Sequence, residues 1–348
     1  MKKINVGILG ATGAVGQRFV ELLANHPWFN VTHLCASEKS SGKKYKDVVN
    51  WKISSDIPAN LANLTVNLCE PNIDVKVIFS ALDSTVAGEI EENFAKKGYI
   101  VISNSKNHRM ANYVPLLIPE VNPDHLALVE EQQKRLKSKG FIITNPNCTT
   151  VGLAMVLKPL NDLFGIKQVI VTSMQALSGA GYPGVPSLDI IDNVIPYISG
   201  EEEKMETEPL KLLGKVSKNG VISAKIAISA QCNRVAVREG HLESVTISFE
   251  KKPTLQEVIK ALKNFTSVPQ KLKLPSAPQY PIIVREEANR PQPVVDRNEG
   301  NGMSVVVGRV NKSEVFDIKL TLLVHNTIRG AAGAAILNAE LLKVKNFI

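Results

Sequence analysis

The sequence predicts an α/β protein in two units: a doubly wound parallel sheet over about the first 145 residues, then an α+β unit with an antiparallel or mixed sheet. Three observations carry this. At about 150 residues per domain, a chain of 348 residues asks for two units. Up to Asn145, short apolar runs alternate with segments of helical period, the pattern of parallel strands joined by crossover helices. Beyond it the strands become longer and richer in β-branched residues, which suits an antiparallel or mixed sheet with helices on one face.

In chain order, residues 4–9 read as a buried strand, and 16–24 as a helix with Phe19, Val20, Leu22 and Leu23 on one face. Strands follow at 31–36, 75–81, 99–103 and 141–145, with helices at 88–97 and, more charged, at 123–139. Parallel sheets bind ligands at the carboxyl ends of their strands, so those loops are the place to look. The second unit opens with a helix at 149–163. Strands at 168–173, 242–249, 304–310 and 316–324 and a helix at 254–263 come after it. The charged segment 198–220 is expected to lie over the surface, and the proline-rich 269–293 to be an extended loop. Near the C-terminus, HNTIRGAAGAAILNAELLKV reads as one helix whose small residues permit close packing.

Composition narrows the function classes. Hydrophobic residues at 44% and charged residues at 21%, with 22 Gly and 19 Pro, are ordinary for a globular chain and exclude disorder, collagen and coiled coil. No apolar run approaches transmembrane length, so no membrane partner is expected. The start, MKKINVGILGATG, is broken by Asn5, Gly7, Gly10 and Thr12 too early for a secretory signal. Four cysteines at spacings of 34, 79 and 84, with no CxxC, fit neither a disulfide framework nor a metal site; a reducing cytoplasm is the expected location. The net charge of +8 is spread in doublets such as Lys43-Lys44, Lys96-Lys97 and Lys251-Lys252. A nucleic-acid binder concentrates its basic residues in a stripe with aromatics between, and aromatics are only 5% here. A lysine-rich solvated surface that steers small anions is the better reading.

Gly10-Ala-Thr-Gly13-Ala-Val-Gly16 follows the first strand and opens the first helix. Glycines there let the backbone turn sharply and let a pyrophosphate approach the amides, a GxxGxxG variant of the dinucleotide fingerprint of Rossmann-like domains. After the second strand, Ser37-Glu38-Lys39-Ser40-Ser41-Gly42-Lys43 offers hydroxyls and cations for a 2′-phosphate, which favours NADP. Glu38 argues for NAD, and a plain solvated turn is the bland alternative. Cys148, between Asn147 and Thr149, stands at a strand end and a helix start, where a thiolate is favoured and the next amides suit an oxyanion hole. Burial as an inert residue is the commoner fate of cysteine, and is expected for Cys35, Cys69 and Cys232. A nucleophilic thiol needs a base. His26, His33, His108 and His125 lie in polar or loop contexts that suggest exposure, whereas His241 follows Asn233-Arg234-Val-Ala-Val-Arg238-Glu239-Gly240, an arginine-rich turn before a strand.

Together these motifs resemble the aspartate-β-semialdehyde dehydrogenase family, in its archaeal and fungal branch. GATGAVGQ, SNSKNHRM, PLLIPEVNP, NPNCTT, QALSGAGYPG, RVAVREGH, RPQP, GNGMSVVVGR and HNTIRGAAG occur in the family's order over nearly the whole chain. The resemblance implies NADPH-dependent reduction of aspartyl-4-phosphate to aspartate semialdehyde with release of inorganic phosphate, a step towards lysine, threonine, methionine and isoleucine. It implies Cys148 as the nucleophile that forms an acyl-thioester, His241 as acid/base and Gln175 as an orienting residue. Arg234 would grip the substrate carboxylate, and Glu201 (or Glu202) with Lys204 would receive the ammonium and the phosphate. Arg109 would be a second phosphate ligand, beside Asn147. Cofactor contacts would come from Gly10, Thr12, Gly13, Ala14, Val15, Ser37, Lys39, Ser40, Ser80, Ser178, Gly179 and Asn326. A Rossmann domain at 1–147, completed by the helix of 326–348, and a catalytic and dimerisation domain at 148–325 are implied, as is a homodimer or homotetramer. Malonyl-CoA reductase of the same branch is the nearest rival, but it has no ammonium to bind. N-acetyl-glutamyl-phosphate reductase is more distant. A regulatory NADP binder that lost catalysis would be expected to have a broken Cys/His pair.

Overall fold

Alternation along the first six strands decides the packing of the N-terminal half. The computed structural model describes residues 2–348. Strands β1 (Ile4–Leu9), β2 (Phe29–Ala36), β3 (Val66–Leu68), β4 (Val77–Ser80), β5 (Ile100–Ser103) and β6 (Phe141–Thr144) form a parallel sheet in the order 3-2-1-4-5-6. Val6, Ile8, Val77, Phe79, Ile100 and Ile102 face one core, shared with Phe19 and Val20 of the helix Ala14–Leu23. Leu9, Ile78, Val101 and Ile142 face the opposite core, under Phe94 of the helix Ser84–Lys96. Successive side chains point to opposite faces, so strands covered on both sides are largely apolar, as β4, β5 and β6 are, buried at every position. The C-terminal helix Gly333–Val344 returns to the first core with Ile336, Leu337 and Leu341.

The second sheet is mixed. A short hairpin, β8 (Lys215–Ser217) and β9 (Gly220–Ile222), stands apart from it. The order is β10 (Ala227–Arg234), β7 (Ile166–Gln175), β11 (His241–Phe249), β14 (Ile318–Val324), β13 (Val305–Lys312) and β12 (Ile282–Val284). Its inner face, with Val169, Val171, Val245, Ile247, Leu320 and Leu322, packs on the helix Cys148–Phe164. On the other face Ile170 is 48% exposed.

Several expectations are corrected. The segment 198–220 holds the helix Glu201–Leu212, which buries Glu201, Met205, Glu208, Pro209, Lys211 and Leu212 rather than lying over the surface. Strands β3, β8, β9, β10 and β12 are not among those expected; β12 lies within the supposed proline-rich loop. The HNTIRG stretch is not one helix but a π-helical turn, Ile328–Ala332, leading into the helix Gly333–Val344. His26 and His125 are buried, His26 against Glu340 at 2.8 Å. Cys35 and Cys232 are buried as expected, but Cys69 is only partly so.

Candidate active site

Four strand ends of the second sheet converge on one edge. Parallel strands β7 and β10 finish together, with Gln175 paired in register with Arg234. Antiparallel β11 starts there at His241, opposite Val324, where β14 ends and delivers His325 and Asn326. The helix Cys148–Phe164 begins beside them, so one edge gathers residues from five elements.

Asn147 caps this helix: its side-chain oxygen accepts from the amides of Thr149 at 3.0 Å and Thr150 at 3.4 Å. Those two amides are therefore committed, which corrects the expectation that they form an oxyanion hole. Cys148 is the first residue of the helix, where helix geometry gives the amide no intrahelical partner. The Asn147 amide donates to Glu208 at 2.6 Å and its side-chain nitrogen to Glu201 at 2.8 Å.

The thiol of Cys148 lies 3.3 Å from His241 Nε2. His241 Nδ1 accepts from the backbone N–H of Ala176 at 3.0 Å. A ring whose Nδ1 accepts carries its proton on Nε2 when neutral, so the imidazole faces the sulphur as a donor rather than as a base. Burial pushes the His241 imidazole down to about 3, and Arg234 and His325 add to it. Burial pushes the Cys148 thiol up to about 12, as does the Glu201 carboxylate, while Arg109, Arg234 and Lys204 pull the other way. A ligand that brings negative charge to those cations and excludes the remaining water would enter a site that is neutral at its centre.

Around this pair lie the other residues singled out by sequence. Glu201 contacts Lys204 at 2.6 Å and Gln175 at 3.3 Å, besides Asn147. Burial raises its carboxyl, but Lys204, Asn147 and Gln175 outweigh that and hold it below the ordinary range. Glu202 instead accepts from the amide of Cys232, so the alternative position is turned elsewhere. Arg109 is buried against Glu208 at 2.9 Å. Arg234 donates to the carbonyl of Ala176 at 2.7 Å. A Cβ on Gly179 would stand 2.9 Å from Arg234 Nη1 and 3.2 Å from His241 Nε2, so only glycine fits there without displacing them. Asn326 ties the loops together, accepting from Gly240 at 2.9 Å and donating to Ser178 at 2.7 Å.

The dinucleotide turn opens on a groove of about 620 Å³ walled by Gly10, Thr12, Gly13, Ala14, Val15, Ser37 and Tyr182 among others. Gly10 has φ +73°, and a Cβ there would meet the Ala81 carbonyl at 2.6 Å. Gly13 caps the first helix without a side chain, which leaves amides of the first turn for an anion. A second lobe of about 290 Å³ shares Ala14, Gln17, Gly181 and Tyr182 and reaches Ser178, Glu239 and Thr327. The donor set thus fits a dinucleotide lying from Ser37 towards Ser178. Lys39 and Ser40 do not wall the groove; they form the turn behind Ser37, with the Ser40 amide donating to the Ser37 carbonyl at 2.9 Å. Ser80 is buried at the end of β4. No group of residues that could hold a metal ion occurs among the described residues.

Two family models match the chain: "Semialdehyde dehydrogenase, NAD binding domain" at residues 5–129 and "Semialdehyde dehydrogenase, dimerisation domain" at residues 157–329. An aspartate-semialdehyde dehydrogenase of Archaeoglobus fulgidus is 52% identical over 341 residues, covering 98% of each chain. The chain belongs to the aspartate-semialdehyde dehydrogenase family. Its Saccharomyces cerevisiae relative of that name is 45% identical over 363 residues, covering 100% of this chain and 99% of its own. Among solved structures, the family member from Candida albicans with NADP superposes with a TM-score of 0.92 at 43% identity, covering 100% of both chains. A more divergent one, aspartate semialdehyde dehydrogenase II of Vibrio cholerae complexed with ASA, gives 0.79 at 27% identity over 100% of both chains.

Sequence reasoning missed several members of the site's surroundings. Glu208 receives both Arg109 and the Asn147 amide. Glu243 shares the inner face of β11 with His241 and is fully enclosed, with neither carboxyl oxygen hydrogen-bonded. A glutamate in a strand two residues past a candidate catalytic histidine was the available signal for Glu243.

Proposed function

We propose that the protein is an NADPH-dependent aspartate-semialdehyde dehydrogenase that converts L-aspartyl-4-phosphate to L-aspartate 4-semialdehyde in lysine, threonine, methionine and isoleucine biosynthesis. The observation that carries it is the Cys148–His241 contact at 3.3 Å, set among Arg234, Arg109, Lys204 and Glu201 at the end of the dinucleotide groove. The substrate's charges match that set: carboxylate to Arg234, ammonium to Glu201, and phosphate to Lys204 and Arg109, with Gln175 and Asn147 orienting the reacting carbon.

In this reading the Cys148 sulphur attacks the acyl carbon: the C–S bond forms, the C–O bond to phosphate breaks, the thiol proton leaves with the phosphate, and a thioester remains. NADPH, when bound, supplies the hydride that reduces this carbon. His241 Nε2–H is the donor in reach of the oxygen that gathers charge. Collapse then breaks the C–S bond, the semialdehyde leaves, and the sulphur takes up a proton from solvent to restore the thiol. The backbone N–H of Ala176 keeps that proton on Nε2 throughout.

Gly10, Thr12, Gly13, Ala14 and Val15 would hold the pyrophosphate, Ser37 the 2′-phosphate with Lys39 and Ser40 in the turn behind it, and Ser178, Gly179 and Asn326 the nicotinamide end. Residues 1–147 with 326–348 act as the cofactor unit and 148–325 as the catalytic one. Two or four copies would assemble through the second unit's sheet, in the cytoplasm; no helix of the described residues is long and apolar enough to cross a membrane. Malonyl-CoA finds no support among the relatives named. Product analysis decides it: with NADPH, aspartyl-phosphate should be reduced and malonyl-CoA left, whereas faster use of malonyl-CoA would overturn the reading.

A further inference from the structure

Two segments, PLLIPEVNP and the IRGAAG part of HNTIRGAAG, are unexplained by substrate or cofactor contacts, yet they meet in the interior. Arg329 and Glu120, 209 residues apart, form a two-pronged pair at 2.9 Å and 2.7 Å. Both side chains are 0% exposed. Arg329 also reaches Met155 Sδ at 3.3 Å, on the second turn of the nucleophile helix. The pair is costly to bury, and apolar residues of similar size often serve stability as well. Its retention invites a reason other than stability.

Arg329 belongs to the π-helical turn. Gly330 donates to the His325 carbonyl at 3.0 Å and Ala332 to the Thr327 carbonyl at 3.2 Å, each five residues back. Such turns are rare and cluster at functional sites. Gly330 presses on the nucleophile: a Cβ there would stand 2.7 Å from Cys148 Cβ and 3.0 Å from its Cα. The next residue, Ala331, gives its carbonyl to the Asn145 side chain at 2.9 Å, three residues before Cys148. Any rotation of this turn must therefore move the surface on which Cys148 rests.

We propose that Glu120 and Arg329 are positioning residues, which fix the π-helical turn so that Gly330 sets the place of the Cys148 sulphur. Neither touches substrate; they act through Gly330 and Met155. The inference rests on Cys148 being the nucleophile. Displacing a reacting atom by about 1 Å can cost on the order of 100-fold in rate, so small shifts of the turn suffice.

The test uses the full-length protein in the oxidative direction, with aspartate semialdehyde, phosphate and NADP⁺. Wild type must turn over and C148A must not; otherwise the functional reading has failed and not this inference. Removing one charge would strand the other, so the main variant is E120M/R329M, which replaces both with residues of similar length. We expect kcat to fall by roughly 10- to 100-fold, with KM for phosphate and NADP⁺ within about threefold and a changed rate of Cys148 alkylation by iodoacetamide. G330A, which intrudes on Cys148 directly, should lower kcat in the same way. If the double variant does not fold, R329K takes its place, keeping the charge and losing the fork. Wild-type kcat per folded molecule in the variant that folds, or in G330A, overturns the proposal.

Discussion

Glu201→Gln separates charge from shape at the centre of the site. In the wild type one carboxylate oxygen faces Lys204 at 2.6 Å, and the other faces Asn147 at 2.8 Å and Gln175 at 3.3 Å. All of these partners are donors. A glutamine must turn its NH2 towards one of the two groups, so a donor meets a donor and the negative charge is gone. A hydrogen bond to a charged group contributes roughly 1.5–3 kcal/mol, so kcat/KM for aspartate semialdehyde should fall by about 10- to 150-fold. The loss should track the amino group: succinic semialdehyde, which lacks it, should lose little further. A second readout moves the opposite way. After burial, Glu201 is the next cause that raises the Cys148 thiol, so removing its charge should increase the thiolate fraction and speed alkylation of Cys148 at pH 8. A misfolded variant would also expose this thiol and alkylate faster, so the comparison is made with a variant whose thermal midpoint is near that of wild type. Steady-state kinetics on the two aldehydes and iodoacetamide labelling followed by mass spectrometry supply the numbers. Equal losses on both substrates would refute the role in binding the ammonium, and slower alkylation would refute the electrostatic account.

Cys148→Ala should abolish turnover while NADPH binding, read by fluorescence titration, persists; Cys148→Ser should keep less than about a thousandth of the rate. Replacing Ser37 with Asp and Lys39 with Ala should weaken NADPH and spare NADH, and an unchanged cofactor ratio in kcat/KM would show that this turn does not read the 2′-phosphate. Gly179→Ala should lower kcat/KM about tenfold or more by pushing Arg234 and His241 aside, with a thermal midpoint near that of wild type; full activity would mean the loop yields freely. Burial holds the Glu243 carboxyl well above its ordinary value. Below the unfolded pKa both states carry the proton. Above it the unfolded chain ionises while the folded group does not, so the contribution of Glu243 to stability should fall by ~1.4 kcal/mol per pH unit until the folded carboxyl itself ionises. Glu243→Gln should remove that slope in denaturant titrations from pH 5 to 7, and parallel slopes for the two proteins would contradict it.

What could be read from sequence was what is local. GATGAVG is a strand, a turn and a helix in one stretch, and its glycines are needed for contacts within that stretch and to Ala81. Arg234 and His241 stand seven residues apart because one short loop joins the ends of β10 and β11. Cys148 was visible at a helix start, one residue before the expected 149–163, and the helix begins on it. Misread elements are those whose partners lie far off. A charged segment such as 198–220 looks solvated because burying a charge is unfavourable unless it is paired, and the pairing is not written nearby. Glu208 is buried against Arg109, 99 residues away. Lys211 is buried with three backbone carbonyls, those of Arg109, Ala111 and Val114, at 2.7, 2.7 and 2.9 Å. His26 and His125 were assigned to solvent by the same reasoning, and His26 is buried because Glu340, near the other end of the chain, receives it. The same holds for function: the helix Glu201–Leu212 carries two of the residues proposed to bind substrate, Glu201 and Lys204, and its charges are inside because they converge on Asn147 and Arg109. A run of buried charges that can be satisfied only by remote partners is thus evidence for a site, and composition alone cannot distinguish it from a solvated face.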